Sequence, residues 1–271
     1  MINPEIFRIG PLSVRWYAVI ILTGAILATW LSNRVAQRKN FPDEFINDLL
    51  FYLFPIGIVG ARIYYVAFTW DEYKNNLWDV FKIWEGGIAI YGGLIAGLLV
   101  IYWYAKKKHT HPLVVLDIIV PYVLLAQGIG RWGNFMNQEA FGAAVSRQYL
   151  EAQFIPSFII DRMYIGGTYY QPTFLYESVL SVIGCIVLIV LREKWQHLKI
   201  GDLTLGYIFW YGIERFIVEG MRSDSLYIGA IRVSQALSVV LVIFAIIAFF
   251  VKKKWIQQSF ATYMYSPTRR D

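Results

Sequence analysis

The chain has 271 residues, of which 57% are hydrophobic, 17% aromatic and 16% charged, with a net charge of +6. A soluble domain carries about 25% charged residues, so this composition excludes an ordinary water-soluble enzyme. A disordered chain is excluded too, because it needs the opposite balance.

The opening residues 1–15 mix Glu5, Arg8 and Arg15 with apolar positions, without the basic start and apolar core of a cleavable signal peptide. A bilayer core takes about 20 mostly apolar residues per helix. Seven segments meet or approach that length: 16–33, 46–68, 88–105, 113–135, 173–191, 203–219 and 231–251. Their apolar residues run on continuously instead of alternating, which predicts an all-α polytopic membrane protein with seven transmembrane helices and not a β-barrel. The single cysteine, Cys185, falls inside the fifth segment and reads as a small buried hydrophobe.

Between the segments, residues 69–87 are rich in aromatics and read as a short amphipathic stretch on the membrane surface. Residues 136–172 hold Gly, Pro and polar side chains and are expected to form a small cap. The membrane domain is therefore 1–255, and 256–271 is expected to be a solvated cytoplasmic tail.

Lys and Arg set the orientation. Arg34, Arg38 and Lys39 follow segment 1, Lys106, Lys107 and Lys108 follow segment 3, and Arg192, Lys194 and Lys199 surround the end of segment 5. Lys252, Lys253, Lys254, Arg269 and Arg270 follow segment 7, and the loops after even-numbered segments hold few cations. The N-terminus is therefore expected outside, the C-terminus inside, and the 136–172 cap on the extracytoplasmic face. Irregular sequence is concentrated on that side, so the working surface is expected there. No internal repeat of the kind seen in many transporters is visible.

Three arginines, Arg62, Arg131 and Arg215, fall within or at the ends of spans, where an arginine costs about 2.5–3.5 kcal/mol at a helix centre. Arg62 reads first as half of a structural pair with a Glu or a headgroup. Arg131 stands in Gln127-Gly128-Ile129-Gly130-Arg131-Trp132-Gly133-Asn134-Phe135-Met136-Asn137-Gln138-Glu139. Glycines there permit close backbone approach or helix interruption, and a guanidinium suits bidentate phosphate recognition. The plainer reading is a kinked helix end with interfacial polar residues. In segment 6, Tyr211, Arg215, Glu219 and Arg222 recur at spacings of one helical face, beside Glu214. Such a stripe faces the bundle interior or a wet cleft, although an Arg215–Glu219 pair alone could be structural.

In Trp84-Glu85-Gly86-Gly87-Ile88-Ala89-Ile90-Tyr91-Gly92-Gly93-Leu94-Ile95-Ala96-Gly97, the Gly93/Gly97 spacing predicts close helix contact. Glu85 and Tyr91 are its polar groups, and Tyr91 alone reads as an interfacial anchor. His109 and His111 read as a solvated loop more readily than as metal ligands. No zinc-ligand spacing, phosphate-binding glycine loop or nucleophile elbow occurs.

The stretch Gly130-Arg131-Trp132-Gly133-Asn134-Phe135-Met136-Asn137-Gln138-Glu139, with Gly142 after it, closely resembles the signature of bacterial prolipoprotein diacylglyceryl transferases. Val14-Arg15-Trp16-Tyr17, Ala61-Arg62-Ile63-Tyr64-Tyr65, Gln171-Pro172-Thr173-Phe174-Leu175-Tyr176-Glu177 and Arg215-Phe216-Ile217-Val218-Glu219 resemble further blocks of that family, in order, from about residue 4 to 251. The resemblance implies seven helices in a bacterial plasma (inner) membrane, with the active site toward the extracytoplasmic side. It implies transfer of a diacylglyceryl group from phosphatidylglycerol to the thiol of a prolipoprotein lipobox cysteine, giving a thioether and glycerol phosphate.

By the same resemblance, Arg131 and Asn134 bind the lipid headgroup and Arg215 belongs to the essential site. Glu139, Gly142, Tyr17, Tyr211, Glu219 and Arg222 shape or line it. No cofactor, metal or nucleic acid is implied. Many family members carry a His before the Gly-Gly pair where this chain has Tyr91. A tyrosine, of reference pKa about 10, is a poor base at neutral pH, but it can donate a hydrogen bond to a phosphate or orient a thiol. On this reading Arg131 and Arg215 clamp the phosphate, and Glu139, Glu219 or Tyr91 orients donors or relays the thiol proton. The competing readings are an anion transporter, which predicts polar residues continuing to the cytoplasmic face, and a lipid-binding protein without turnover.

Overall fold

The computed structural model describes residues 4–9, 12–229 and 231–266. Arg269 and Arg270 of the basic C-terminal run, and the side chain of Glu85, lie outside the described part.

A hairpin of β1 (Glu5–Ile9) and β2 (Leu12–Arg15) opens the fold, and α1 (Trp16–Arg38) follows without a break. Next come α2 (Phe45–Phe68), the short α3 (Trp70–Tyr73), two single-turn 3-10 segments at Leu77–Phe81 and Ile83–Glu85, α4 (Ile90–Lys107) and α5 (Pro112–Asn137). The excursion after α5 contains β3 (Ala144–Val145), α6 (Arg147–Ala152), α7 (Ser157–Arg162), β4 (Tyr164–Ile165) and β5 (Thr168–Tyr170). The chain closes with α8 (Thr173–Lys194), α9 (Asp202–Met221), a hairpin of β6 (Tyr227–Ile228) and β7 (Ile231–Arg232), and α10 (Val233–Trp255).

Each of the seven apolar segments is thus a helix, displaced by a few residues at its ends. Among the described residues, five helices are long and apolar enough to cross a membrane: α1, α2, α5, α8 and α10. α4 is less apolar, with Tyr91, Tyr102, Tyr104 and two terminal lysines among its 18 residues, and α9 carries Asp202, Glu214, Arg215 and Glu219 along its length. Many large apolar side chains on these helices point outward, such as Phe51 at 76% exposure, which suits a lipid environment and not water.

The described residues divide into two compact units. One takes the chain up to Leu31 together with Ile119–Thr262, and the other takes Ser32–Ile118 and the chain from Tyr263.

In the second unit α2 packs on α4 through glycine. A Cβ on Gly60 would collide with Ala96 and come 2.9 Å from the Gly92 carbonyl oxygen, and a Cβ on Gly92 would collide with the Gly60 oxygen. The closest approach is therefore at Gly92 and Ala96; the expected Gly93 also faces α2, since a Cβ there would lie 3.5 Å from the Gly57 carbonyl oxygen, whereas a Cβ on the expected Gly97 would meet nothing within 4 Å. Arg62, on α2, is structural as expected, but its partner is neither a carboxylate nor a headgroup. It donates to the carbonyl oxygens of Asp79, Val80, Gly86 and Gly87 at 2.6–2.8 Å. One guanidinium thereby gathers four carbonyls of the irregular 77–87 backbone, of which the Asp79 oxygen also accepts the Lys82 amide.

The expected solvated tail is also corrected. Phe260 and Tyr263 are each 1% exposed. The Phe260 amide donates to Leu198, and the Tyr263 hydroxyl bonds the Thr110 hydroxyl at 2.7 Å. Two buried aromatics in a polar-looking segment hold it to the protein, because each gains about 1.5–3 kcal/mol on leaving water.

In the first unit the 138–172 excursion forms its own small core. Leu150, Ile159, Ile160 and Met163 pack with Phe135 from α5 and Phe174 from α8. The rings of Phe135 and Phe174 stack at 4.6 Å. This core sets the facing ends of α5 and α8, which carry Arg131 and Glu177. Cys185 is buried in α8, as expected.

Candidate active site

Three helices of the first unit converge on one carboxylate. Glu177, in the second turn of α8, is only 3% exposed. Its Oε1 receives Nη2 of Arg131 from α5 at 3.1 Å and Nη1 of Arg215 from α9 at 3.1 Å. Arg215 also places Nη2 2.6 Å from Oε2 of Glu219, one helical turn on. The structure therefore brings Arg131, Arg215 and Glu219 together. Its hub is a residue to which sequence reasoning assigned no role. The usable signal was the burial cost: two arginines within spans require an acid, and Glu177 is the acid of a matched sequence block.

The cluster keeps donor capacity in hand. A guanidinium has five N–H donors, and among the described residues the one polar partner of Arg131 is Glu177. The Arg131 and Arg215 side chains are 24% and 17% exposed, so neither is sealed.

Asn134 lies one turn after Arg131. Its Nδ2 donates to Oε1 of Glu139 at 3.0 Å, and Asn137 donates to the same oxygen at 3.1 Å. This is possible because two left-handed residues follow α5, Gln138 (φ 52°) and Ala140 (φ 56°), which turn Glu139 back over the helix end. Glu139 is thus a fixture for two asparagine amides, and Asn134 keeps its carboxamide oxygen and second N–H.

Gly142 has a positioning role. Its amide donates to Gln171 at 2.9 Å and it bridges to Arg222, tying the start of α8 to the end of α9. A Cβ there would sit 2.8 Å from the Gln171 Cβ and 3.0 Å from the Met221 carbonyl oxygen. Tyr17, on the first turn of α1, lies over Gly133, where a Cβ would be 2.5 Å from the ring.

Arg222 departs from the expected helical face. It caps α9 in extended conformation and forks onto Asp224 at 2.8 and 2.9 Å. That fork holds the Asp224 carboxyl below the usual carboxylate range and raises Arg222. Tyr211 stacks beside Tyr207, with ring centres 6.1 Å apart, on the face of α9 that carries Arg215. Glu214, 4% exposed, accepts from the Ser181 hydroxyl at 2.6 Å, one turn along α8 from Glu177.

Tyr91 belongs to the second unit. It lies in the first turn of α4, 49% exposed, with its ring 6.4 Å from that of Tyr64.

The helices and this arginine–carboxylate cluster define a multi-pass helical membrane protein with a polar centre suited to an anion. The family model of prolipoprotein diacylglyceryl transferase matches residues 4–251, and the chain belongs to that family. Relatives named phosphatidylglycerol–prolipoprotein diacylglyceryl transferase include one from Ligilactobacillus salivarius, 50% identical over 93% of this chain and 94% of its own length. One from Lactobacillus delbrueckii subsp. bulgaricus is 51% identical, over 94% of each chain. Another from Streptococcus equi subsp. equi is 51% identical, over 92% of this chain and 95% of its own.

Proposed function

We propose that this chain transfers the diacylglyceryl group of phosphatidylglycerol to the lipobox cysteine thiol of a prolipoprotein, releasing glycerol phosphate. The observation that carries the reading is the sharing of one carboxylate, Glu177, by Arg131 and Arg215. This pins two guanidiniums side by side while leaving N–H donors for a phosphate.

The cysteine sulfur attacks the glyceryl carbon that bears the phosphate. The carbon–sulfur bond forms, the carbon–oxygen bond breaks, and its electron pair goes to the departing phosphate oxygen. The phosphodiester carries one negative charge and the leaving monoester gains a second. Arginines aimed at that oxygen therefore stabilise the transition state more than the bound lipid. The thiol proton leaves before or during attack, since only about 3% of a thiol of pKa about 8.5 is ionised at neutral pH. The phosphate monoester, with a second pKa of about 6, leaves mainly as the dianion at neutral pH, so the thiol proton ends in solvent. Asn134, held by Glu139, places a further donor toward the headgroup, and the Tyr91 hydroxyl hydrogen-bonds phosphate or thiol. No step calls for a cofactor.

In the membrane the chain crosses seven times, with the N-terminus outside, the C-terminus cytoplasmic and the 136–172 cap extracytoplasmic. The basic runs after the odd-numbered apolar segments, which are α1, α4, α8 and α10, support this orientation. The membrane is the bacterial plasma membrane, where the lipobox peptide reaches the site from outside and the lipid from between helices.

The test is incubation of the purified protein with headgroup-labelled phosphatidylglycerol and a lipobox peptide, beside a Cys→Ser peptide and Arg131→Ala. Cysteine-dependent release of glycerol phosphate with a matching mass gain on the peptide is expected, and Arg131→Ala abolishes both. Lipid binding without release would leave a lipid-binding protein instead. Arg131→Ala with full lipid affinity would remove the clamp.

A further inference from the structure

At the other end of α8, α9 and α10 from the arginine cluster lies a cavity of about 660 Å³ in the first unit. Leu191 lines it, 14 residues from Glu177 along α8, or about 21 Å at 1.5 Å per residue. Its walls are Leu191, Leu205, Phe209, Ile246 and Phe249, with Gly206 and Ala245 as the small residues that hollow it. Phe209, Ile246 and Phe250 are exposed, so the cavity opens sideways.

The rim is cationic and the cavity supplies no free counter-charge. Lys199, Lys253 and His197 stand at its edge, and Asp202 is its one acid. Asp202 is already committed: Oδ1 pairs with Nζ of Lys252 at 2.8 Å, both side chains buried, and Oδ2 accepts the Lys199 amide at 2.7 Å. Among the described residues the Lys199 ammonium reaches only the neutral Gln257 side chain, and Lys253 lies over the Phe249 ring at 4.3 Å. Trp195, 56% exposed, stands beside them, as aromatics do at a membrane interface.

We infer that this cavity is a second lipid site, which holds an acyl chain of an anionic phospholipid with the headgroup phosphate on Lys199 and Lys253. An apolar trough open to the side takes a hydrocarbon chain, and ammonium groups that have no carboxylate partner among the described residues take a phosphate. The Asp202–Lys252 pair fixes the α9–α10 geometry that forms the trough and keeps the acid from neutralising the rim. The site faces the leaflet opposite the arginine cluster and rests on membrane embedding, not on the transferase reading.

The test uses the full chain in nanodiscs doped with either phosphatidylglycerol or phosphatidylcholine carrying a photoreactive acyl chain, with labelled peptides mapped by mass spectrometry. Segments 198–209 and 245–253 are expected to be labelled several-fold more by the anionic lipid. The double variant Lys199→Gln/Lys253→Gln should lower that labelling to the phosphatidylcholine level. Leu205→Trp, which fills the trough, should lower labelling by both lipids. Labelling around Arg131 stays unchanged in these variants, which separates this site from the candidate active site. Equal labelling by the two lipids, or undiminished labelling of the lysine double variant, overturns the assignment.

Discussion

Arg131 and Arg215 end on the same atom, each with a guanidinium nitrogen 3.1 Å from Oε1 of Glu177. They come from different helices, so this oxygen sets the distance between two like charges. Without it the pair repels in a site where side chains are mostly out of water.

Glu177→Gln keeps the shape and removes the charge. Breaking a buried pair by removing one partner costs about 3–5 kcal/mol, and here two partners lose their anchor at once. Transfer to a lipobox peptide should fall by at least about 100-fold, equivalent to about 2.7 kcal/mol in the barrier. Retained expression and helicity would show that the loss is local. Turnover within twofold of the parent would mean that the arginines are positioned by something else.

A matched pair of substitutions in α2 tests the glycine contact. Gly60→Ala drives a methyl into Ala96 and the Gly92 backbone, whereas a methyl on Gly57 would meet nothing within 4 Å. Overpacking costs about 1–3 kcal/mol, while Gly→Ala in an open helix position gains about 0.5–1 kcal/mol. Thermal unfolding in detergent should therefore drop for Gly60→Ala and hold or rise for Gly57→Ala. Equal shifts would remove the close α2–α4 approach.

Much of this was legible in the sequence, and the misses have physical causes. Long apolar runs locate helices because period and hydrophobicity are local. The pairing of Arg215 with Glu219 was legible for the same reason, since residues four apart meet on a helix. Glu177 was not, because its partners lie 46 and 38 residues away in sequence, and only helix packing decides that they converge. The closest approach falls at Gly92 and Ala96, beside the expected Gly93, which shows that small-residue spacing identifies a contact without fixing its exact phase. Arg62 misled because an arginine in a span suggests a carboxylate, while unsatisfied loop carbonyls serve equally well. The tail looked solvated because its composition is polar on average, and averaging hides two anchoring aromatics.

The Arg62 arrangement carries its own prediction. Four carbonyls accept from one planar side chain, and an ammonium on a thinner stem cannot span them. Arg62→Lys should loosen residues 69–87 and raise their limited-proteolysis rate severalfold, with the α2–α4 pair still folded. Unchanged cleavage would assign the order of that segment to its aromatic contacts.

Arg222 and Asp224 predict a pH effect. The Asp224 carboxyl is lowered in the folded protein, chiefly by its hydrogen bonds from Arg222. Its stabilisation is thus fully present above the ordinary carboxylate value of about 4 and is lost as pH falls through the lowered one. Asp224 is half exposed, so the contribution stays below about 1 kcal/mol after solvent screening. Asp224→Asn should therefore unfold slightly earlier than the parent at neutral pH and show a shallower loss of stability on acidification below about pH 4. Parallel acid limbs for the two proteins would contradict the pairing.

Tyr91→Phe separates chemistry from stability. The Tyr91 hydroxyl makes no hydrogen bond within the protein among the described residues, and the side chain is 49% exposed. Deleting it should change the unfolding midpoint by an amount equivalent to less than about 0.5 kcal/mol, as for other surface changes. A hydrogen bond to a charged group contributes about 1.5–3 kcal/mol, so a hydroxyl that contacts phosphate or thiolate in the reaction should be missed by about tenfold or more in turnover. Tyr91→His then tells which property matters. Recovery with a rate that rises through the imidazole range of about pH 6.5 would show base catalysis at this position. Recovery without that dependence would show that a hydrogen-bond donor suffices. Full activity in Tyr91→Phe would exclude the hydroxyl from the reaction, leaving the thiol proton to pass to solvent without it.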